Sequence, residues 1–248
     1  MEALARRKFE FPRYRRPFLR GILRQLIHTG FSMLTEFRVC GLENVPPRGP
    51  LLVVGNHFNF LDPVVFIEAL PLPFEFLGGT EMPGAPPIVR WIPAMWGVFR
   101  VHRGSVSRDA LKNAQNILTK GGVLGIFPEG GSWADVLRPA RPGAALLAVR
   151  TGAQILPVGL EGVTNVFPVR VGRRAKVNVR IGKPFGPFRE SIKGREGRRR
   201  LEEIGDLIMK KVAELIPNEK RGFYSDDPDV RAAARGTELY PWEDKLEK

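Results

Sequence analysis

The run Leu51-Leu52-Val53-Val54, closed off by Pro50 and Gly55, most constrains the fold. Four apolar residues between two breakers read as a short buried strand. Similar runs recur at Gly97–Arg103, Gly122–Phe127 and Ile155–Leu160, and Lys176–Ile181 alternates like a strand with one wet face. Helical patterns lie between and after them. Ser107 reads as the cap of a helix carrying Ala110, Leu111, Ala114, Ile117 and Leu118, stopped at Gly121-Gly122. Pro142 opens a second, Gly143 to Arg150, stopped at Gly152. Leu201, Ile204, Ile208, Val212 and Leu215 mark a third, ended by Pro217. Strand–helix alternation predicts an α/β fold, a mostly parallel sheet flanked by helices, preceded by an N-terminal amphipathic helical segment.

The residues just after these strands carry the chemistry. In open α/β sheets, ligands bind beyond the carboxyl ends of the strands. Asn56, His57 and Asp62 follow the first run, Arg103 ends the second, and Glu129 and Gly130 follow the third. Histidine is suited to take a proton near neutral pH. A carboxylate five residues on would fix its tautomer and stabilise the imidazolium, as in any base–orienter pair. Asp62 has a second reading: followed by Pro63 and Val64–Leu70, it fits the N-cap of a helix.

Four blocks in order, Asn56 to Asp62, Gly97 to Arg103, Phe127 to Gly130 and Pro157 to Gly162, with Gly143–Ala148 between the last two, resemble the glycerolipid acyltransferase family over residues 38–182. The resemblance implies a fatty acyl group moved from acyl-CoA or acyl-carrier protein to a lysophospholipid hydroxyl, foremost 1-acyl-glycerol-3-phosphate, in phospholipid biosynthesis. It implies His57 as general base and Asp62 as its orienter. Arg103 would bind phosphate, Glu129 would bind polar acceptor groups or orient Arg103, and Gly130 would offer backbone N–H to the oxyanion or donor; Asn56 counts with the substrate-side residues. No metal, cofactor or covalent intermediate is required. Two departures bear on the acceptor. The family continues Phe-Pro-Glu-Gly with Thr-Arg-Ser, where this chain has Gly131-Ser132-Trp133, and a lysine common in the family is absent around Gly78–Glu81. Both remove positive charge and leave open a different lysolipid or glycolipid acceptor.

Charge points to a polyanionic partner. The 248 residues hold 39 Lys+Arg against 26 Asp+Glu, a net +13. Residues 1–24 carry eight basic and two acidic side chains, and residues 170–200 twelve and two. The N-terminal pattern favours an anionic membrane surface over nucleic acid. Phe18, Leu19, Ile22, Leu23, Leu26, Ile27, Phe31 and Leu34 recur at helical spacing behind a basic arm, the composition of an interfacial helix. The same helix would also pack on the domain, and one edge could do each. Trp91 and Trp96 form a second candidate membrane contact, an acyl-chain wall or simply core. No nucleic-acid-binding signature is present. The expected organisation is a membrane-associating segment over 1–35, a catalytic domain over 36–217 and a loose polar tail over 218–248. With no secretory pattern and no run long enough to span a bilayer, the expected location is peripheral, at the cytoplasmic face. Cys40 is the single cysteine, so no intrachain disulfide forms.

Rival chemistries were weighed on the same residues. Gly130-Gly131-Ser132-Trp133-Ala134 approaches a nucleophile elbow, but no histidine follows His102 to serve Ser132. His57, Asp62, His102 and Glu129 as metal ligands lack a recognised spacing. A non-catalytic membrane-surface protein would need only the basic helix.

Overall fold

The computed structural model describes residues 10–12, 16–78, 85–100, 108–170 and 172–239. Its strands are β1 (Thr35–Cys40), β2 (Leu51–Gly55), β3 (Phe74–Gly78), β4 (Phe99–Arg100), β5 (Val123–Ile126), β6 (Gln154–Glu161) and β7 (Ala175–Ile181). Its helices are α1 (Pro17–Leu34), α2 (Asp62–Ala69), α3 (Ile92–Trp96), α4 (Arg108–Thr119), α5 (Gly143–Thr151), α6 (Gly194–Ala213) and α7 (Pro228–Ala234). The strands form one sheet in the order β1-β7-β6-β2-β5-β3-β4, parallel except between β6 and β7. This is the α/β architecture that the alternation predicts.

Side-chain alternation divides the core. Leu51 and Val53 join an apolar cluster under α1 and α2, while Leu52 and Val54 join another under α4, α5 and α6. Val123 and Leu124 of β5 split the same way, so the central strands are buried on both faces. That is why they read as unbroken apolar runs rather than as alternating ones.

The sequence reading missed β1 and β3. β1 is an edge strand whose Glu36, Arg38 and Cys40 face outward. In β3 a charged residue, Glu75, interrupts the apolar pattern, yet it is buried. Its partner is Arg20 of α1, which is 1% exposed. Nη1 and Nη2 donate to Glu75 Oε1 and Oε2 at 2.8 Å each, and Nε donates to the Trp96 carbonyl at 2.9 Å. Trp96 lies beneath the guanidinium, 4.9 Å from its ring centre, and gives its own N–H to Phe74 O. Trp96 is therefore a core residue and not the membrane contact expected. Arg24 of α1 caps the end of α2 by donating to Ile67 O and Leu70 O, and also reaches Leu72 O. Arg20 thus fastens α1 to the sheet, and Arg24 fastens it to α2 and the turn before β3.

The apolar face of α1 divides in two. Leu23, Ile27 and Phe31 are buried in the core, so Leu23 and Ile27 are corrected from membrane contact to packing. Leu19 is half-buried against the same cluster. Phe18, Ile22 and Leu26 are exposed, at 83%, 45% and 57%. Among the described residues no helix is long and apolar enough to cross a membrane.

Three boundaries differ from expectation. Within the expected strand at 97–103, β4 starts at Phe99; residues 101–103, with His102 and Arg103, and the Ser107 cap lie outside the described residues. Helix α6 begins at Gly194, before the first apolar residue that marked it. The stretch after Pro217, expected to be loose, makes two 3-10 turns and α7, which Asp227 caps by accepting from Asp229 N at 2.8 Å. Its backbone bonds to Leu137 fix it on the domain: Leu137 N donates to Lys220 O, and Phe223 N to Leu137 O.

Arg20→Ala is expected to cost on the order of 3–5 kcal/mol of stability, because it removes the guanidinium that pairs in bidentate fashion with the buried Glu75 carboxylate. The joint replacement Arg20→Met/Glu75→Leu should cost much less. Urea midpoints measure both, and an Arg20→Ala loss under about 1 kcal/mol would contradict the burial argument.

Candidate active site

The register of β2 on β5 builds the site. Val54 pairs with Ile126, and each chain runs on three residues to His57 and to Glu129. Both arrive at the same rim, the carboxyl ends of adjacent parallel strands. The His57 backbone N–H donates to Glu129 Oε1 at 2.7 Å. Gly55 is required at the strand's end, since a Cβ there would sit 2.7 Å from Phe66 and 2.9 Å from the Val158 carbonyl.

Asp62 is the first residue of α2 and does not cap it. Its carboxylate turns back onto the loop before it. Oδ2 accepts from His57 Nδ1 at 2.9 Å and from the backbone N–H of Phe58 and of Asn59 at 2.7 Å each. The Asn59 side chain accepts from Leu61 N at the helix start. An ionised carboxylate only accepts, so Nδ1 carries the proton and Nε2 is left with its lone pair. The imidazole stacks on Phe127, with centroids 4.4 Å apart, and keeps 17% of its surface exposed. Burial pushes the Asp62 carboxyl above its ordinary range, against the hydrogen bonds from His57 and the two amides.

Of the other expected substrate residues, Asn56 and Glu129 face inward, and Arg103 lies outside the described residues. Asn56 is 1% exposed and clips β2 to β6: it donates to Leu160 O at 3.0 Å and accepts from Leu160 N at 2.8 Å. It is a structural clip, corrected from substrate contact, because both ends of its amide are spent on the sheet. The Glu129 side chain has no exposed surface, so it is corrected from acceptor contact to an internal anchor. Gly130, at φ +83°, closes a turn by donating its N–H to Phe127 O, so that N–H is unavailable to an oxyanion. Ser132 lies in the irregular stretch before α5, without the strand–turn–helix of a nucleophile elbow.

Sequence reasoning missed Arg138. It is buried, and its Nε and backbone N donate to Glu129 Oε2 at 3.0 and 3.2 Å. Nη2 donates to the carbonyls of His57 and Gly131, and the guanidinium lies 3.9 Å from the centre of the Trp133 ring. Burial is the main cause of both shifts in this pair: it pushes Glu129 up to about 7 and Arg138 down. Arg138 and the two backbone N–H groups oppose it at Glu129; Arg141 nearby adds to it at Arg138.

Known proteins can now be set beside this geometry. The family model described as Acyltransferase matches residues 36–161, just over half of the chain. This chain belongs to the acyltransferase family. It is 28% identical over 205 residues to a chloroplastic 1-acyl-sn-glycerol-3-phosphate acyltransferase of Brassica napus, covering 80% of this chain and 59% of that protein. It is 32% identical over 132 residues to the 1-acyl-sn-glycerol-3-phosphate acyltransferase of Borreliella burgdorferi, covering 52% of each. Among solved structures it resembles PlsC, the 1-acyl-sn-glycerophosphate acyltransferase of Thermotoga maritima. The TM-score is 0.54 at 25% identity, over 81% of this chain and 83% of that one. The chain spans between half and three-fifths of the length of these curated relatives. The matched segment runs from β1 to the end of β6 and contains His57, Asp62 and Glu129.

Stability should carry the signature of the buried Glu129. Burial pushes Glu129 up to about 7 in the folded protein from its ordinary value of 4.5. That contribution is complete in acid below the unfolded value and is lost as pH rises through about 7. Glu129→Gln removes the titration. The stability of wild type minus that of the variant is expected to shrink as pH rises from about 5 to about 8 in urea melts. A constant difference would mean that Glu129 does not titrate in this window.

Proposed function

We propose that this chain is an O-acyltransferase that esterifies a lysophospholipid, foremost 1-acyl-glycerol-3-phosphate, from an acyl-CoA or acyl-carrier-protein thioester. The observation that carries the reading is the His57 Nδ1–Asp62 Oδ2 bond of 2.9 Å at the rim of β2, with the ring still partly exposed. The acceptor hydroxyl oxygen attacks the thioester carbonyl while its proton passes to His57 Nε2. The carbon–sulfur bond then breaks, and the departing sulfur takes that proton back, leaving an ester and a free thiol. Asp62 holds the ring and offsets the imidazolium charge. No metal or covalent enzyme intermediate enters. The names of the relatives support a phosphatidate-forming acceptor. The missing Thr-Arg-Ser arginine is the observation that favours a second reading, a different lysolipid or glycolipid acceptor.

The place of work we assign is a membrane surface, at the cytoplasmic face, with the protein bound peripherally. Exposed Phe18, Ile22, Leu26, Met33, Trp91 and Met95 support it. An apolar groove of about 190 Å³ between α1, Trp91-Ile92 and Val166-Phe167 runs on to Leu61, the neighbour of Asp62. It suits an acyl chain leading from the bilayer toward the base.

Mass spectrometry of products from a lysolipid mixture with acyl-CoA tests the reaction. His57→Ala is expected to lower turnover by on the order of 10²–10⁴-fold with circular dichroism unchanged. Full turnover in the folded variant would sink the mechanism. For the location, Ile22→Ser/Leu26→Ser should reduce sedimentation with anionic liposomes without lowering the melting temperature, since both side chains are exposed. Unchanged sedimentation would remove α1 as the anchor.

A further inference from the structure

The cation absent at Gly131-Ser132-Trp133 has a counterpart further along the chain, turned inward. Arg138 follows Glu129 by nine residues and is buried with it. Its side chain touches three pieces of the site at once: the Glu129 carboxylate, the Gly131 carbonyl in the turn, and the His57 carbonyl in the loop that carries the base. Glu129 grips that loop from the other side through the His57 N–H. The peptide groups flanking His57 are thus held by an acid at N–H and by a guanidinium at C=O. Arg138 Nη1 is buried without a hydrogen-bond partner, so packing alone gives a poor account of a guanidinium here.

The support behind Arg138 comes from the chain's end. Its guanidinium rests on Trp133, whose indole N–H donates to Thr237 O at 2.8 Å. Neighbouring Leu137 exchanges backbone bonds with Lys220 and Phe223, and Asp135 pairs with Lys220 at 2.6 Å. Gly222 allows this approach, since a Cβ there would lie 2.2 Å from Leu137 O.

We infer that Arg138 is a positioning residue for acyl transfer: it locks the His57 loop to the Glu129 turn and so sets the aim of the imidazole. The inference rests on the acyl-transfer reading above. Arg138 touches no substrate in this arrangement. Its loss should therefore lower kcat and leave the KM for acyl donor and acceptor nearly unchanged. Lysine cannot replace it, because one ammonium cannot serve Glu129 and two carbonyls while stacking on an indole.

The test uses the full chain carrying Arg138→Lys, Arg138→Met, Glu129→Gln and Arg138→Met/Glu129→Gln. Each is assayed with acyl-CoA and 1-acyl-glycerol-3-phosphate, melted, and examined by NMR for the His57 Nδ1 proton held by Asp62. The expected result is a kcat at least about 10-fold down in folded Arg138→Lys, with both KM values within twofold. The double variant should regain melting temperature relative to Arg138→Met but not regain turnover, because a buried pair removed together costs less than one broken. The Nδ1 proton should shift or broaden in Arg138→Lys. If Arg138→Lys or the double variant folds, turns over within twofold of wild type and keeps the Nδ1 signal, the inference is overturned. If wild type acylates no lysolipid, the proposed function fails on its own. The Nδ1 signal then decides this inference separately: altered supports it, unaltered overturns it.

Discussion

Parallel pairing of β2 with β5 is the constraint on which the site depends. In an antiparallel pair the two chains would leave at opposite ends, and His57 and Glu129 would be separated by the length of the strands. With Val54 beside Ile126 and both chains running the same way, three further residues bring them to within 2.7 Å of one another. The strands can pair this way because both faces of each are covered, by α1 and α2 on one side and α4, α5 and α6 on the other. A slip of one residue would exchange Leu51 and Val53 with Leu52 and Val54 between the clusters and move His57 away from Glu129.

Two buried ion pairs fasten this frame, one between residues 55 apart in the chain and one between residues nine apart. Arg20–Glu75 ties α1 to β3. Arg138–Glu129 ties the irregular stretch before α5 to the end of β5. Burying such pairs seldom adds net stability over apolar packing, but breaking one is costly. Their effect is on geometry: each demands a single arrangement of its surroundings, which suits a site whose aim must be held within a fraction of an ångström.

The central strands and the His57–Asp62 contact were legible in the sequence because each depends on local pattern. Leu51–Val54 is an unbroken apolar run, Ile155–Leu160 carries no polar residue, and His57 and Asp62 are separated by only four residues. What was hidden depends on distant partners. Glu75 looks like a surface residue until Arg20 is brought to it, so β3 disappears. Arg138 stands between Val136-Leu137 and Pro139-Ala140, in a stretch with no strand or helix period; what supports it includes Gly222 and Thr237, 84 and 99 residues on. Asn56 and Glu129 were found by position but given the wrong direction, since sequence shows which residues reach a rim and not which side of it they face.

The division of the α1 face follows from the same logic. A helix held only by its apolar stripe would have no buried arginine. Here Leu23, Ile27 and Phe31 commit one edge to the core, and Arg20 and Arg24 fix the rotation about the helix axis. Phe18, Ile22 and Leu26 are thereby held outward beside the groove that ends at Leu61. Because Leu61 lines that groove with α1 and directly precedes Asp62, one buried residue links the packing of α1 to the carboxylate that holds His57 Nδ1.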